Sequence, residues 1–173
     1  MDIFSELDNM QELLFESDLE DIEDRYFHWC CEKAGQDQAE QIRDTDLTRY
    51  EGELQAALKK AVSAANKKPA KAIYFEYDMD NLWDGTFFIC QEYNPLAEED
   101  DEWACDWLED LSGPDLKEFA EIYKEARFDS PTAVYLIART AAAFTRQCRI
   151  VNFDKPSCIA FHDQDPIMRT KKD

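Results

Sequence analysis

From Asp2 to Phe15 the apolar residues Ile3, Leu7, Met10, Leu13 and Leu14 fall at helical spacing with acidic residues between them. That is the pattern of an amphipathic helix with one buried stripe. Ser17 followed by Glu20 has capping-box spacing. It predicts a second helix through Ile22, Tyr26, Phe27, Trp29 and Cys30, closed at Gly35. Thr45 or Asp44 caps a third helix, in which Leu47, Tyr50, Leu54, Leu58, Ala61, Val62 and Ala65 share a face. Lys59, Lys60, Lys67 and Lys68 suit its C-terminal end, and Pro69 its stop.

The period then changes from helical to alternating. Lys71 to Asp78 sets Ile73, Phe75 and Tyr77 on one face and Tyr74, Glu76 and Asp78 on the other. Thr86 to Tyr93 repeats this character, and the intervening MDNLWDG is rich in turn formers. A β-hairpin over 71–93 follows. Asn94-Pro95 ends it, and the AEEDDE run becomes a surface loop, because five consecutive carboxylates cannot be buried unpaired. Trp103, Cys105 and Trp107 alternate with Ala104 and Asp106, as a third strand would; a short helix is the other option. Ser112-Gly113-Pro114 introduces a helix carrying Leu116, Phe119, Ala120 and Tyr123. Ser130-Pro131 opens a buried, Ala-rich helix from Thr132 to Cys148, and Ser157 to His162 reads as a last strand. The class is therefore α+β. It comprises N-terminal helices over 1–68, then a small, mainly antiparallel sheet with two further helices packed on it over 69–168, and a frayed tail over 169–173. The length of 173 residues suits one domain.

Charge changes the picture. There are 39 acidic and 19 basic residues, for a net charge of −20, which argues against a nucleic-acid surface. The excess is concentrated in two runs. Met1 to Asp24 has ten acidic residues and no basic one, and Ala72 to Leu116 has fourteen and again none. Like charges within about 8 Å repel in physiological salt, so such monopolar stretches cost stability unless they serve as a solvated face or a landing site for a cationic partner. No apolar run approaches a membrane span, and the first residues lack a basic and an apolar signal region, so a cytoplasmic protein with no membrane partner is expected. In that compartment the six cysteines are expected to be reduced.

Catalytic signals are sparse. Four glycines leave little material for a phosphate loop, and two histidines, His28 and His162, cannot build a multi-histidine zinc site. Vicinal Cys30 and Cys31 beside His28 project about 100° apart on a helix, a poor chelate. Asp80 to Gly85 falls short of a calcium loop, with Leu82 at the third ligand position and Gln91 at the twelfth. The AEEDDE run has only the weak cation affinity of any carboxylate cluster. Cys158 and His162 lie at opposite ends of a strand with no orienting residue. No catalysis and no cofactor are expected. The aromatics offer more. Trp103 and Trp107 either share one inward face of a strand or act as anchors on an acidic binding face, and Trp83, in a polar turn, is the tryptophan expected to be exposed. The candidate partner-binding residues are Asp78, Asp80, Trp83, Asp84, Glu98, Glu99, Asp100, Asp101, Glu102, Trp103, Asp106, Trp107, Glu109 and Asp110. Reversing Glu99, Asp100 and Asp101 to lysine is expected to weaken binding and spare the fold.

The stretch from Ile73 to Phe88 (IYFEYDMDNLWDGTFF), followed by Asp100 to Trp107 (DDEWACDW), resembles the strand segments of bacterial immunity proteins that neutralise polymorphic or contact-delivered toxins. The resemblance covers Ile73 to Asp110. It implies a small cytosolic protein that binds one cognate toxin and blocks its active site. A nuclease leads among such toxins, because a phosphate-binding site is basic and attracts an acidic inhibitor. The competing class is an acidic secretion chaperone or adaptor for an effector protein, which would expose an apolar groove instead of a charged face.

Overall fold

The computed structural model describes residues 3–172, so the predicted helix start at Asp2 and the tail residue Asp173 lie outside it. Four helices come first: α1 (Ile3–Glu16), α2 (Leu19–Lys33), α3 (Gln36–Asp44) and α4 (Thr48–Ala65). The hairpin strands β1 (Ala72–Asp78) and β2 (Asp84–Cys90) follow, then two 3₁₀ turns, Leu96–Glu98 and Glu102–Cys105, and β3 (Trp107–Ser112). The chain ends with α5 (Lys117–Glu125), α6 (Ser130–Val151), β4 (Ser157–Phe161) and β5 (Met168–Arg169). Among the described residues no helix is long and apolar enough to cross a membrane.

The helical stripes account for α1, α2 and α4. Leu7, Met10 and Leu14, then Leu19, Ile22, Tyr26 and Cys30, then Tyr50, Leu54, Leu58, Ala61 and Ala65 are the buried residues at their three-and-four spacing. The capping details differ. Asp18, not Ser17, holds the N-cap position of α2 and makes no side-chain cap bond. Gly35 ends α2 but also opens α3, and its φ of +103° is one that L side chains rarely adopt. Sequence pattern misses α3 because only Ala39 and Ile42 of its nine residues are buried, too few for a stripe. Asp44 therefore lies inside a helix, and Asp46 instead receives Thr48 N–H at 2.9 Å at the start of α4.

The five strands lie in the order β3-β2-β1-β4-β5. Most neighbours are antiparallel, but β1 and β4 run parallel, joined through the helical crossover. α6 sits at the centre, with every residue from Thr132 to Thr145 buried. Asp129 caps it, accepting Thr132 N–H at 3.1 Å, and proline stands in its first turn, where a missing N–H costs nothing. On one side Phe144 stacks on Phe75 of β1, centroids 5.2 Å apart, and Phe75 meets Phe87 at 4.7 Å. On the other side an ion cluster ties α6 to α2 and α4. Arg146 bonds Glu51 at 2.5 Å and Glu23 at 2.8 Å, and Arg139 reaches Glu23 at 3.4 Å and donates to the Ile42 carbonyl. These half-buried charges meet the rule that a carboxylate removed from water needs a partner.

The tail is a correction. Met168 and Arg169 pair with β4, and Arg169 is 1% exposed, so 169–170 are docked, not frayed. Lys171 and Lys172 are exposed.

Candidate interaction surface

Alternation in the hairpin decides what the sheet presents on each face. Ile73, Phe75, Tyr77, Phe87 and Ile89 point to the helices, leaving Ala72, Tyr74, Glu76 and Asp78 of β1, and their partners Cys90, Phe88, Thr86 and Asp84 of β2, on the outer face. From β4, Cys158 and Ala160 join them. One half of this outer face is covered. The segment from 91 to 106 folds over it, with Trp103 edge-on to Tyr74 and Tyr93, and Ala104 and Ile167 completing a second small core.

The other half is open. At its edge Tyr74, buried under Trp103, stacks on half-buried Phe88 at 5.7 Å, and Phe88 meets Trp107 of β3 at 4.8 Å. Trp107 is 46% exposed. The same face carries Glu76, Asp78, Asp84 and Asp110, with Asp106 just before β3, in a segment that has no lysine or arginine between Ala72 and Leu116. Glu76 accepts the Tyr74 hydroxyl at 2.9 Å and faces His162 Nδ1 at 3.1 Å. The hydrogen bond from His162 to Glu76, and the charge of that carboxylate, hold the imidazole pKa above its usual 6.5. Burial, with Glu76 adding to it, pushes the Tyr74 phenol far up, so it stays a neutral donor.

Asp78, Asp84, Asp106, Trp107 and Asp110 thus belong to one surface. The remaining candidates do not. Trp83 is fully buried on the helix side of the sheet, stacked on Tyr77 at 5.4 Å, with its indole N–H donating to Thr140 at 3.1 Å. The expectation of exposure fails because Leu82 and Trp83 take positive φ values of 59° and 56°, which turn the indole inward. Trp103 lies in a 3₁₀ turn, so it shares no strand face with Trp107. Glu109 faces the other side, paired with Lys68 at 3.0 Å. Asp80 stands at the hairpin tip beside an open groove of about 810 Å³ lined by Met79, Leu82, Tyr123 and Phe128. Asp100 is engaged by Asn94 at 3.0 Å and the Glu102 N–H at 2.9 Å. Asp101 is turned inward on to Arg169, while Glu98, Glu99 and Glu102 remain exposed.

Residues that sequence pattern did not bring forward are Tyr74, Phe88 and His162, and Glu76 as their partner. The alternation in β1 already put Tyr74 and Glu76 on the non-core face. What it lacked was the register that sets Phe88 and Trp107 beside them. A second acidic feature joins the two charge runs: Asp8 and Glu12 of α1 face Glu99, Asp101 and Asp165 across a cleft of about 500 Å³.

No group of three metal-ligating side chains forms among the described residues. Burial pushes the Cys30, Cys90 and Cys148 thiols up to about 12, leaving them protonated and poorly nucleophilic at neutral pH. Cys158 is buried and His162 is four residues further along, about 13 Å at strand rise, so they do not meet. No family model, curated protein or solved structure matches the chain, so the surface itself carries the functional argument.

Proposed function

We propose that this chain is an immunity-type inhibitor that binds one cognate basic toxin in the cytoplasm, with a nuclease as the leading case, and neutralises it by stoichiometric occlusion without turnover. The observation that supports this reading is the uncovered half of the sheet, where half-exposed Trp107 packs on Phe88 and shares the outer face with the carboxylates of Asp78, Asp84 and Asp110. A half-exposed indole supplies a desolvated anchor, and the carboxylates on the same face steer and pair with arginine or lysine. The test is affinity purification from the source cell, followed by titration of the recovered partner's activity. Inhibition is expected to reach an endpoint at a fixed molar ratio, with salt slowing association first. Complete inactivation by a trace amount would point to catalysis instead.

One feature favours the chaperone reading. Leu82 and Phe128 are 50% and 55% exposed along the groove beside the hairpin tip, a place where an apolar effector segment would dock. If Leu82→Ser and Phe128→Ser abolish capture of the partner while Trp107→Ala does not, the chaperone reading replaces the inhibitor one.

A further inference from the structure

In a chain of net charge −20, one small pocket has no acidic residue in its wall among the described residues. It lies where the C-terminal halves of α1 and α6 meet the end of β5, and encloses about 270 Å³. Arg149, Lys171 and Lys172 surround it, and Leu14, Phe15 and Phe153 form an apolar wall. Between these lie the hydroxyls of Thr145, Ser157 and Thr170.

The Thr145 hydroxyl is the most telling of these. Thr145 is 1% exposed, and its Oγ1 has no hydrogen-bond partner among the described residues, although a helical threonine ordinarily bonds the carbonyl four residues back. A buried hydroxyl without a partner is costly to keep, and here it borders a pocket where a ligand oxygen can accept from it. Ser157 and Thr170, by contrast, bond each other, and Thr170 also bonds the Ser157 carbonyl at 3.1 Å. Arg149 makes no ion pair among the described residues, and Lys171 makes only a long contact, 3.3 Å, to the Asp154 carbonyl.

We infer that this pocket binds a small organic phosphate. The oxygens of a phosphate group accept from the hydroxyls and the cations together, and a dianion offsets most of the charge the three cations bring. The negative end of α6 also lies here, but its effective charge of roughly half a unit is outweighed by three side-chain cations. Its volume lies just below the roughly 300–1,000 Å³ of ordinary ligand sites, and the phenylalanine wall suits a compact apolar group attached to the phosphate. The site lies away from the acidic sheet face and does not depend on the inhibitor reading.

The experiment is calorimetric titration of the full chain with phenyl phosphate and with inorganic phosphate, against chloride at matched ionic strength. Saturable binding of phenyl phosphate, tighter than that of inorganic phosphate, is expected. Arg149→Gln, Lys172→Gln and Thr145→Val should each weaken it by about tenfold, the weight of a hydrogen bond to a charged group. Lys60→Gln, in the separate groove beside Glu109 and Leu111, should leave it unchanged. Circular dichroism of each variant shows that the fold persists, and Arg149 and Lys172 are exposed enough for their loss to be tolerated. Absence of saturable binding, or equal binding by the wild type and the Arg149 and Lys172 variants, overturns the site. Equal affinity for the two phosphates overturns the organic ligand.

Discussion

The guanidinium of Arg169 meets the carboxylate of Asp101 at 2.7 Å, joining the last strand to the loop that covers the outer sheet face. Arg169 is 1% exposed and also donates to the Asn94 carbonyl at 2.9 Å, beneath the rings of Trp103 and Tyr93 at 5.4 and 5.8 Å. Asp101 in turn accepts Ile167 N–H at 2.6 Å and the Trp103 indole at 3.3 Å. Removing one member of a buried pair strands the other, at about 3–5 kcal/mol. Arg169→Ala should therefore lower stability by that order in urea denaturation, with Asp101→Ala costing somewhat less because Asp101 is nearer to solvent. The triple reversal of Glu99, Asp100 and Asp101 to lysine is for the same reason a poor test of charge, since a lysine in place of Asp101 would face Arg169 and loosen the cover. Reversal of Asp106 and Asp110 tests the open face cleanly.

Trp107 and Trp83 should behave oppositely on truncation. Trp107→Ala removes a half-exposed ring and is expected to change stability by under about 1 kcal/mol, yet to weaken partner binding by ~2 kcal/mol or more if it anchors the interface. Trp83→Ala empties a fully buried site and breaks the bond to Thr140, and should cost about 3–5 kcal/mol. Chemical denaturation and binding measurements on the two variants separate the roles.

Two glycines make a second contrasting pair. A Cβ on Gly85 would lie 2.6 Å from the Phe75 ring, which Phe144 and Phe87 hold in place. Gly85→Ala should therefore destabilise by about 1–3 kcal/mol through overpacking. Gly52 sits on the exposed side of α4 with nothing within 4 Å, and Gly52→Ala should stabilise by roughly 0.5–1 kcal/mol through lost chain entropy. Thermal midpoints moving in opposite directions are the expected outcome.

His162 provides a pH-dependent readout of the open face. Its folded pKa lies above 6.5 because Glu76 favours the charged ring. The contribution to stability is thus fully present below 6.5 and is lost as pH rises through the folded value. It is small, because the ring is 59% exposed. NMR titration of the imidazole should show the raised value in the wild type and its return toward 6.5 in Glu76→Gln. Protonation also adds a positive charge to the acidic face, so affinity for a basic partner should fall at mildly acid pH, and less so in His162→Gln.

The sequence by itself determined the elements whose apolar positions repeat, because burial on one face writes a period into the chain. The stripes of α1, α2 and α4, the alternation of β1 and β2, and the apolar run of α6 all carry that record. α3 left too little of it, and β5, with two residues, is too short to repeat one. Charge counting likewise found Asp78, Asp84, Asp106 and Asp110 as members of one monopolar segment. Which carboxylates face solvent was decided only by tertiary structure. Asp101 differs from Asp100 and Glu102 in meeting an arginine 68 residues away and the backbone N–H of Ile167. Trp83 is internal because two consecutive left-handed residues rotate it, and Trp107 is external because β3 begins at it, two residues after the 3₁₀ turn ends at Cys105. Such outcomes depend on long-range pairing and local backbone rotation, which residue types and spacings along the chain do not encode in any period.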